Sequence, residues 1–237
     1  MSETVPLVHA LLNHLADAGF TGSPRVVGSG FDDAGRETLG WIEGRIAYPD
    51  GWSDEGIWAT GRLLRELHSA TVDFVPPPGT RWPAYWLRRE GPDSVIGHCD
   101  AGPWNTVVRN GLPVALIHWE VAGPVDRLDE VAACAWWHAQ LRADRPDAPP
   151  LPAVEVRAAQ LGLFLDGYRL AAGQRAQVVE RMIEFAIREC AAEAEEARIT
   201  PCSTDPEPLW GLAWRARAAA WMIEHRAILE RAAVHGP

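Results

Sequence analysis

Residues 95–124 read VIGHCDAGPWNTVVRNGLPVALIHWEVAGP, and the organisation of the chain follows from them. Asn110-Gly111 sits between the apolar runs 106–109 and 114–118, the strongest short-range signal for a two-residue hairpin turn. The loop entering that hairpin, residues 97–105, carries a carboxylate at Asp100 and an amide at Asn105. The second strand ends in His118-Trp119-Glu120.

Outward from this hairpin the periodicity changes. On the N-terminal side, Leu7, Val8, Leu11, Leu12 and Leu15 recur at helical spacing, which predicts a helix over 6–19 closed by Gly19. Residues 25–28 and 38–46 read as two extended segments of a small hairpin around the turn-rich run 29–35. A helix is expected over 54–70, with Ser53 as its N-cap and Ile57, Leu63, Leu64 and Leu67 on one face. The Pro76-Pro77-Pro78-Gly79 run ends it and is the best candidate for a linker. Beyond Pro124 the pattern is helical over 128–141, 154–170, 174–198 and 208–233, with proline-rich breaks at 146–152 and 201–206. The expected class is α+β, divided into a small β-containing front at 1–50 and a large helical body at 51–237.

A chain of 237 residues, 47% hydrophobic and 23% charged, supports a substantial core and excludes collagen-like, coiled-coil and disordered readings. The net charge of −10 argues against nucleic acid as a partner, because a phosphate backbone needs a basic stripe to release its counterions. The acidic field suits a cationic small molecule better. Lysine is absent from the sequence, so no lysine can grip a phosphate or form a Schiff base. Cys99, Cys134, Cys190 and Cys202 stand far apart without a CxxC pair, as expected of reduced thiols in a cytoplasmic protein. Neither a secretory signal nor a membrane-spanning run of about 20 apolar residues is evident.

Phosphoryl transfer needs a base for the substrate hydroxyl, an amide oxygen on Mg²⁺ and a carboxylate holding that metal over the phosphates. Asp100 and Asn105 have the residue types and spacing for the first two tasks, while His118 occupies the place of the third. These residues resemble the aminoglycoside phosphotransferase and choline kinase-like family. Its pattern is a His-x-Asp-x-x-x-x-Asn loop, a strand hairpin, an Asp-Trp-Asp/Glu-x-Ala-Gly-Pro segment and an Asp-Leu-Ala helix start. Here the corresponding stretches are HCDAGPWN at 98–105, IHWEVAGP at 117–124 and Glu130-Val131-Ala132. GFTGSPRVVG at 19–28, GRETLGWIEG at 35–44 and LHSATVDFVPPPGTRW at 67–82 extend the likeness over most of the chain. The resemblance implies a protein-kinase-like fold with the helical body as its larger lobe. It also implies about three strands ahead of the first helix, whereas this chain enters that helix at Pro6, so a reduced N-terminal lobe is expected.

On this reading Asp100 and His118 are the candidate catalytic residues, and His98, Trp104 and Glu120 line the cleft. Asn105 is the candidate metal ligand. No cofactor is fixed by the residues themselves; Mg²⁺ and ATP are implied if the family's chemistry is retained. Imidazole is a poor ligand for Mg²⁺, which prefers hard oxygen donors. The leading expectation is therefore a degenerate or repurposed kinase-fold protein that binds a small molecule without efficient transfer. Its alternative is an ATP- and Mg²⁺-dependent O-phosphotransferase with Asp100 as base. His98 is expected to hydrogen-bond backbone. Cys99 is expected to be inert because the neighbouring carboxylate raises its pKa. Asp126, Asp129 and Glu130 should cap or begin a helix, and Glu193, Glu195 and Glu196 should form a solvated face. The twelve tryptophans are expected chiefly in the core and between lobes, some as an aromatic box for a cation. An open strand edge near 38–46 further suggests a homodimer.

Overall fold

Ser53 begins the first long helix as its spacing requires, its hydroxyl accepting from Gly56 N at 3.1 Å. This computed structural model describes residues 4–145 and 148–236, so the start of the proline-rich break at 146–152 lies outside the described residues. The elements run α1 Val5–Asp17, β1 Val26–Phe31, β2 Glu37–Leu39, β3 Arg45–Ile46, α2 Asp54–Ala70 and β4 Ser94–Gly97. A short 3₁₀ turn at Pro103–Asn105 follows, then β5 Thr106–Arg109, β6 Leu112–Leu116, β7 Gly123–Asp126 and α3 Arg127–His138. The remaining helices are α4 Val154–Tyr168, α5 Ala172–Glu196, α6 Pro206–Glu224 and α7 Arg226–His235. The α+β class, with small sheets and a large helical portion, is as expected.

The strands form three small antiparallel sheets, β1-β2, β3-β5-β6 and β4-β7. Asn110 and Gly111 take positive φ values of 53° and 80°, the left-handed geometry that a tight hairpin turn demands. The expected strand over 38–46 divides. Its first part, β2, pairs with β1, while Arg45 and Ile46 leave that hairpin and pair with Val108 and Val107 of β5. Ala47 and Tyr48 continue the connection, donating to Thr106 O and Pro103 O. The front segment is thereby sewn to the central hairpin.

Two further differences have local causes. The helix expected over 208–233 breaks at His225, whose Nδ1 bonds Trp221 O at 2.9 Å while its backbone departs from helical values. The β4-β7 pair was unexpected, since Gly123 and Pro124 argue against a strand. Tertiary pairing decides it: Val95 faces Val125 and Ile96 faces Pro124. Helix α2 packs on α4, and α5 packs on α3 and α6. One apolar cluster includes Leu11 and Leu15 of α1, Leu64 of α2, Trp136 of α3 and Met182 of α5. This body fixes the loop between β4 and β5, on which the candidate site is built. Among the described residues no helix is long and apolar enough to cross a membrane.

Candidate functional site

The loop 98–105 is held from below by Glu130 on α3. Its Oε1 accepts from Cys99 N at 2.6 Å and its Oε2 bonds His68 Nε2 at 2.7 Å, while His68 Nδ1 meets the Tyr168 hydroxyl at 2.7 Å. Gly97 makes this approach possible: a Cβ there would stand 1.8 Å from Glu130 Oε2. Burial pushes the Glu130 carboxyl upward, but the hydrogen bonds from His68 and Cys99 outweigh it and hold the group below its usual range. The network also retains Cys99 at φ 66°, a conformation that costs free energy in a residue with a side chain.

Asp100 stands on this support, half-buried. Its Oδ1 accepts from Trp104 Nε1 at 3.1 Å and its Oδ2 from Asn105 Nδ2 at 2.7 Å. Burial raises its pKa despite the opposing effects of His98 and these two donors. His98 is buried and bonds Ile117 O through Nε2 at 2.9 Å, while its Nδ1 receives Asp100 N at 3.3 Å. Those partners define the neutral tautomer, and burial depresses its pKa accordingly. The Cys99 thiol is raised first by burial and then by Glu130, rather than by the adjacent Asp100.

His118 and Glu120 lie in the connection between β6 and β7. Their side chains are 62% and 74% exposed, with His118 Nδ1 3.6 Å from Glu120 Oε1. His118 has φ 61°, a left-handed backbone. Asn105 directs its amide nitrogen to Asp100, which leaves its Oδ1 as the oxygen a cation could take, while His118 offers an imidazole, a poor ligand for Mg²⁺. Among the described residues no group of three or more His, Cys, Asp or Glu side chains is gathered as a metal site.

Two cavities flank Asp100. It shares a narrow gap with Tyr85, Trp137 and Glu189. Tyr85 and Glu189 also border an open groove of about 830 Å³, lined in addition by Trp86, Glu193, Glu195 and Glu196. Glu195 and Glu196 are exposed at its rim, as expected of a solvated face, while Glu193 is half-buried and pairs with Arg215. Burial lifts Glu189 to about 7, although Arg215 donates to it at 2.9 Å. On the other side Trp104 and Trp137 line a second cavity of about 250 Å³. Arg215 borders both cavities, and its guanidinium also pairs with Glu193.

Sequence reasoning missed Glu130, His68 and Tyr168 as a support, because acidic residues at a helix start ordinarily satisfy its amides. Asp126 does cap α3, accepting from Leu128 N and Asp129 N. Asp129 instead meets Arg181 at 2.9 Å and Arg188 at 3.4 Å. The abundance of tryptophan was the available sign of the second cavity.

The chain is 49% identical over 227 residues to the trifolitoxin immunity protein of Rhizobium leguminosarum bv. trifolii, an alignment covering 95% of this chain and 87% of that protein. No protein-family profile matches it. Among solved structures, amicoumacin kinase in complex with AMP-PNP and Ca²⁺ superposes with TM-score 0.69 at 13% identity, covering 93% of this chain and 78% of the kinase. An aminoglycoside phosphotransferase from Alicyclobacillus acidocaldarius gives TM-score 0.61 at 17% identity, covering 99% and 85%. Spectinomycin phosphotransferase in complex with ADP and spectinomycin gives 0.54 at 9% identity, covering 94% and 83%.

Proposed function

This chain belongs to the family of the trifolitoxin immunity protein and has the aminoglycoside phosphotransferase fold, and from that premise we propose that it is a kinase-fold immunity protein. It binds a toxic small molecule in the cavities beside Asp100 and protects without efficient ATP-dependent transfer. The observation carrying this reading is the donor set: His118 stands in place of the metal carboxylate, while both Asp100 oxygens are engaged by Trp104 and Asn105. The fold is thus used as a receptor, with Asp100 as a fixed polar wall. The acidic groove over Glu189 and Glu193, with Tyr85 and Trp86 beside it, suits a cationic portion of the ligand.

The retained loop geometry favours one alternative, O-phosphotransfer with Asp100 as base. Expression in a trifolitoxin-sensitive bacterium separates the two readings. In the receptor reading Asp100→Asn leaves most protection in place, and the purified protein incorporates no labelled phosphate from ATP. Loss of protection by Asp100→Asn at unchanged stability, together with labelled toxin formed by the parent protein, would overturn it.

A further inference from the structure

The second cavity differs in chemistry from the acidic groove. Trp52, Trp104, Trp137, Trp210 and Trp214 line it, with Arg142, Arg145 and Arg215 among them. Trp137 and Trp214 stack in parallel at 4.9 Å and 9°, and Trp104 meets Trp137 edge-on at 4.5 Å. The wall is held in place by the site itself. His138 takes Trp52 Nε1 on Nδ1 at 2.9 Å and bonds Ala101 O through Nε2 at 2.9 Å. Burial lowers His138 to about 4, so it stays neutral and keeps both contacts across the physiological range. Trp104 in turn donates to Asp100.

Aromatic walls alone would admit either an organic cation or a neutral ring, and the arginines decide between them. Arg142 and Arg215 lie 5.9 Å from the Trp214 ring, while Arg145 and Arg217 lie 6.0 and 5.2 Å from Trp210. The π faces most open to a cation are therefore already accompanied by guanidinium groups, and a further positive charge meets repulsion. Arg215 is committed to Glu189 and Glu193. Among the described residues Arg142 has no ion pair within 4.0 Å; Asp144 is the carboxylate that acts on it, and its guanidinium lies beside the Trp214 ring. Asp50 at the rim is neutralised by Arg45 at 2.7 Å.

We infer that this cavity is a binding site for a planar, π-rich group carrying a carboxylate or comparable anion, with the ring against Trp137, Trp210 and Trp214 and the anion facing Arg142. The inference deepens the receptor reading by naming the ligand chemistry of one side of the Asp100 site, and it rests on that reading for its biological use. A guanidinium can meet a carboxylate in a bidentate fork, and a flat ring can lie against an indole wall with little loss of its own conformational freedom. A cavity of about 250 Å³ lies just below the usual range of ligand pockets, which favours a small ring system over a larger ligand.

Calorimetric titration with 2-naphthoate and with 2-naphthylmethylammonium, two probes of the same ring and opposite charge, tests the site directly. Naphthoate is expected to bind at least tenfold more tightly and to alter tryptophan fluorescence. Arg142→Gln should weaken naphthoate about tenfold, Arg142→Lys should restore part of it, and Trp210→Ala, at a ring already 38% exposed, should weaken both probes. Equal or tighter binding of the ammonium probe would overturn the inference, as would naphthoate binding unaffected by Arg142→Gln in a variant whose unfolding midpoint is unchanged. Absence of naphthoate binding to the parent protein would overturn it too. Phosphate incorporation from ATP reads the other question: transfer activity would remove the receptor reading while leaving the charge preference of the cavity standing.

Discussion

Between β4 and β5, polar groups are tied down: Asp100 by Trp104 and Asn105, His98 by Ile117, and Cys99 N by Glu130. Between β6 and β7, His118 and Glu120 reach into solvent and touch chiefly each other. Both segments contain a residue in the left-handed region, Cys99 and His118. The first is held there by a buried carboxylate on its backbone N–H, while the second is a histidine, one of the residue types enriched in that region, and carries no such buried support. In a phosphotransferase these two segments cooperate, one placing the acceptor and the other the metal. Here the first segment is tied down by hydrogen bonds and the second is exposed. A receptor, as proposed, uses that difference: fixed dipoles around a ligand, without a precise position for a transferring group.

The largest expected effect comes from removing the support of the rigid segment. Glu130→Ala leaves Cys99 N and the His68 ring without their buried acceptor, and should cost roughly 3–5 kcal/mol in urea unfolding. Because the folded-state pKa of Glu130 lies below its ordinary value of 4.5, its contribution is present above that pH and lost as pH falls through the folded value. The variant should therefore lose an acid-side decline that the parent shows. A change below about 1 kcal/mol would mean that the loop holds itself, and the contrast between the segments would lose its cause.

The wall facing Asp100 has the opposite sign. Glu189 is raised to about 7 by burial, so its contribution is present below pH 4.5 and is lost as pH rises through about 7. Stability should increase as pH is lowered from 8 to 6, by up to about 1.3 kcal/mol. Glu189→Gln should flatten this limb of the profile. An unchanged profile in the variant would assign the titration elsewhere. A smaller effect is expected from Trp104→Phe, which keeps a ring against Trp137 but removes one donor from Asp100, for about 1 kcal/mol. It should also raise the Asp100 pKa further, measurable by carboxyl-carbon NMR titration.

Much of this contrast was legible before the fold was known, and what was missed has a common physical origin. Asn110-Gly111, Ser53 and the helical stripes act through local chemistry, so spacing alone reveals them. Arg45 and Ile46 were placed in the wrong pairing because a two-residue strand carries no register of its own and takes the neighbour that its chain direction offers. β7 is formed by its partner β4 against the local preference of Gly123 and Pro124. Glu130 illustrates the same limit at the site. Its neighbours in sequence mark it as the start of a helix, whereas its partners Cys99 and His68, with Tyr168 behind His68, converge only when three other elements are packed around it. The His118 anomaly was visible directly, since a missing oxygen ligand is a property of residue type.

His118→Asp should have the smallest effect on stability and bears most directly on the exposed segment. Aspartate tolerates the left-handed backbone at φ 61° better than most residues, and the side chain lies 62% exposed, so the unfolding midpoint should move by no more than about 0.5 kcal/mol equivalent. The change returns the hard oxygen donor that Mg²⁺ prefers, and a weak Mg²⁺-dependent rise in melting temperature is expected. Phosphate transfer is not expected to follow, because lysine is absent from the sequence and both Asp100 oxygens remain bound to Trp104 and Asn105. Metal binding with no transfer would show that the two segments are independent. Robust ATP-dependent transfer by His118→Asp would show that a single carboxylate separated this protein from its catalytic relatives, and the rigidity of the Asp100 loop would then be that of an active site rather than of a receptor wall.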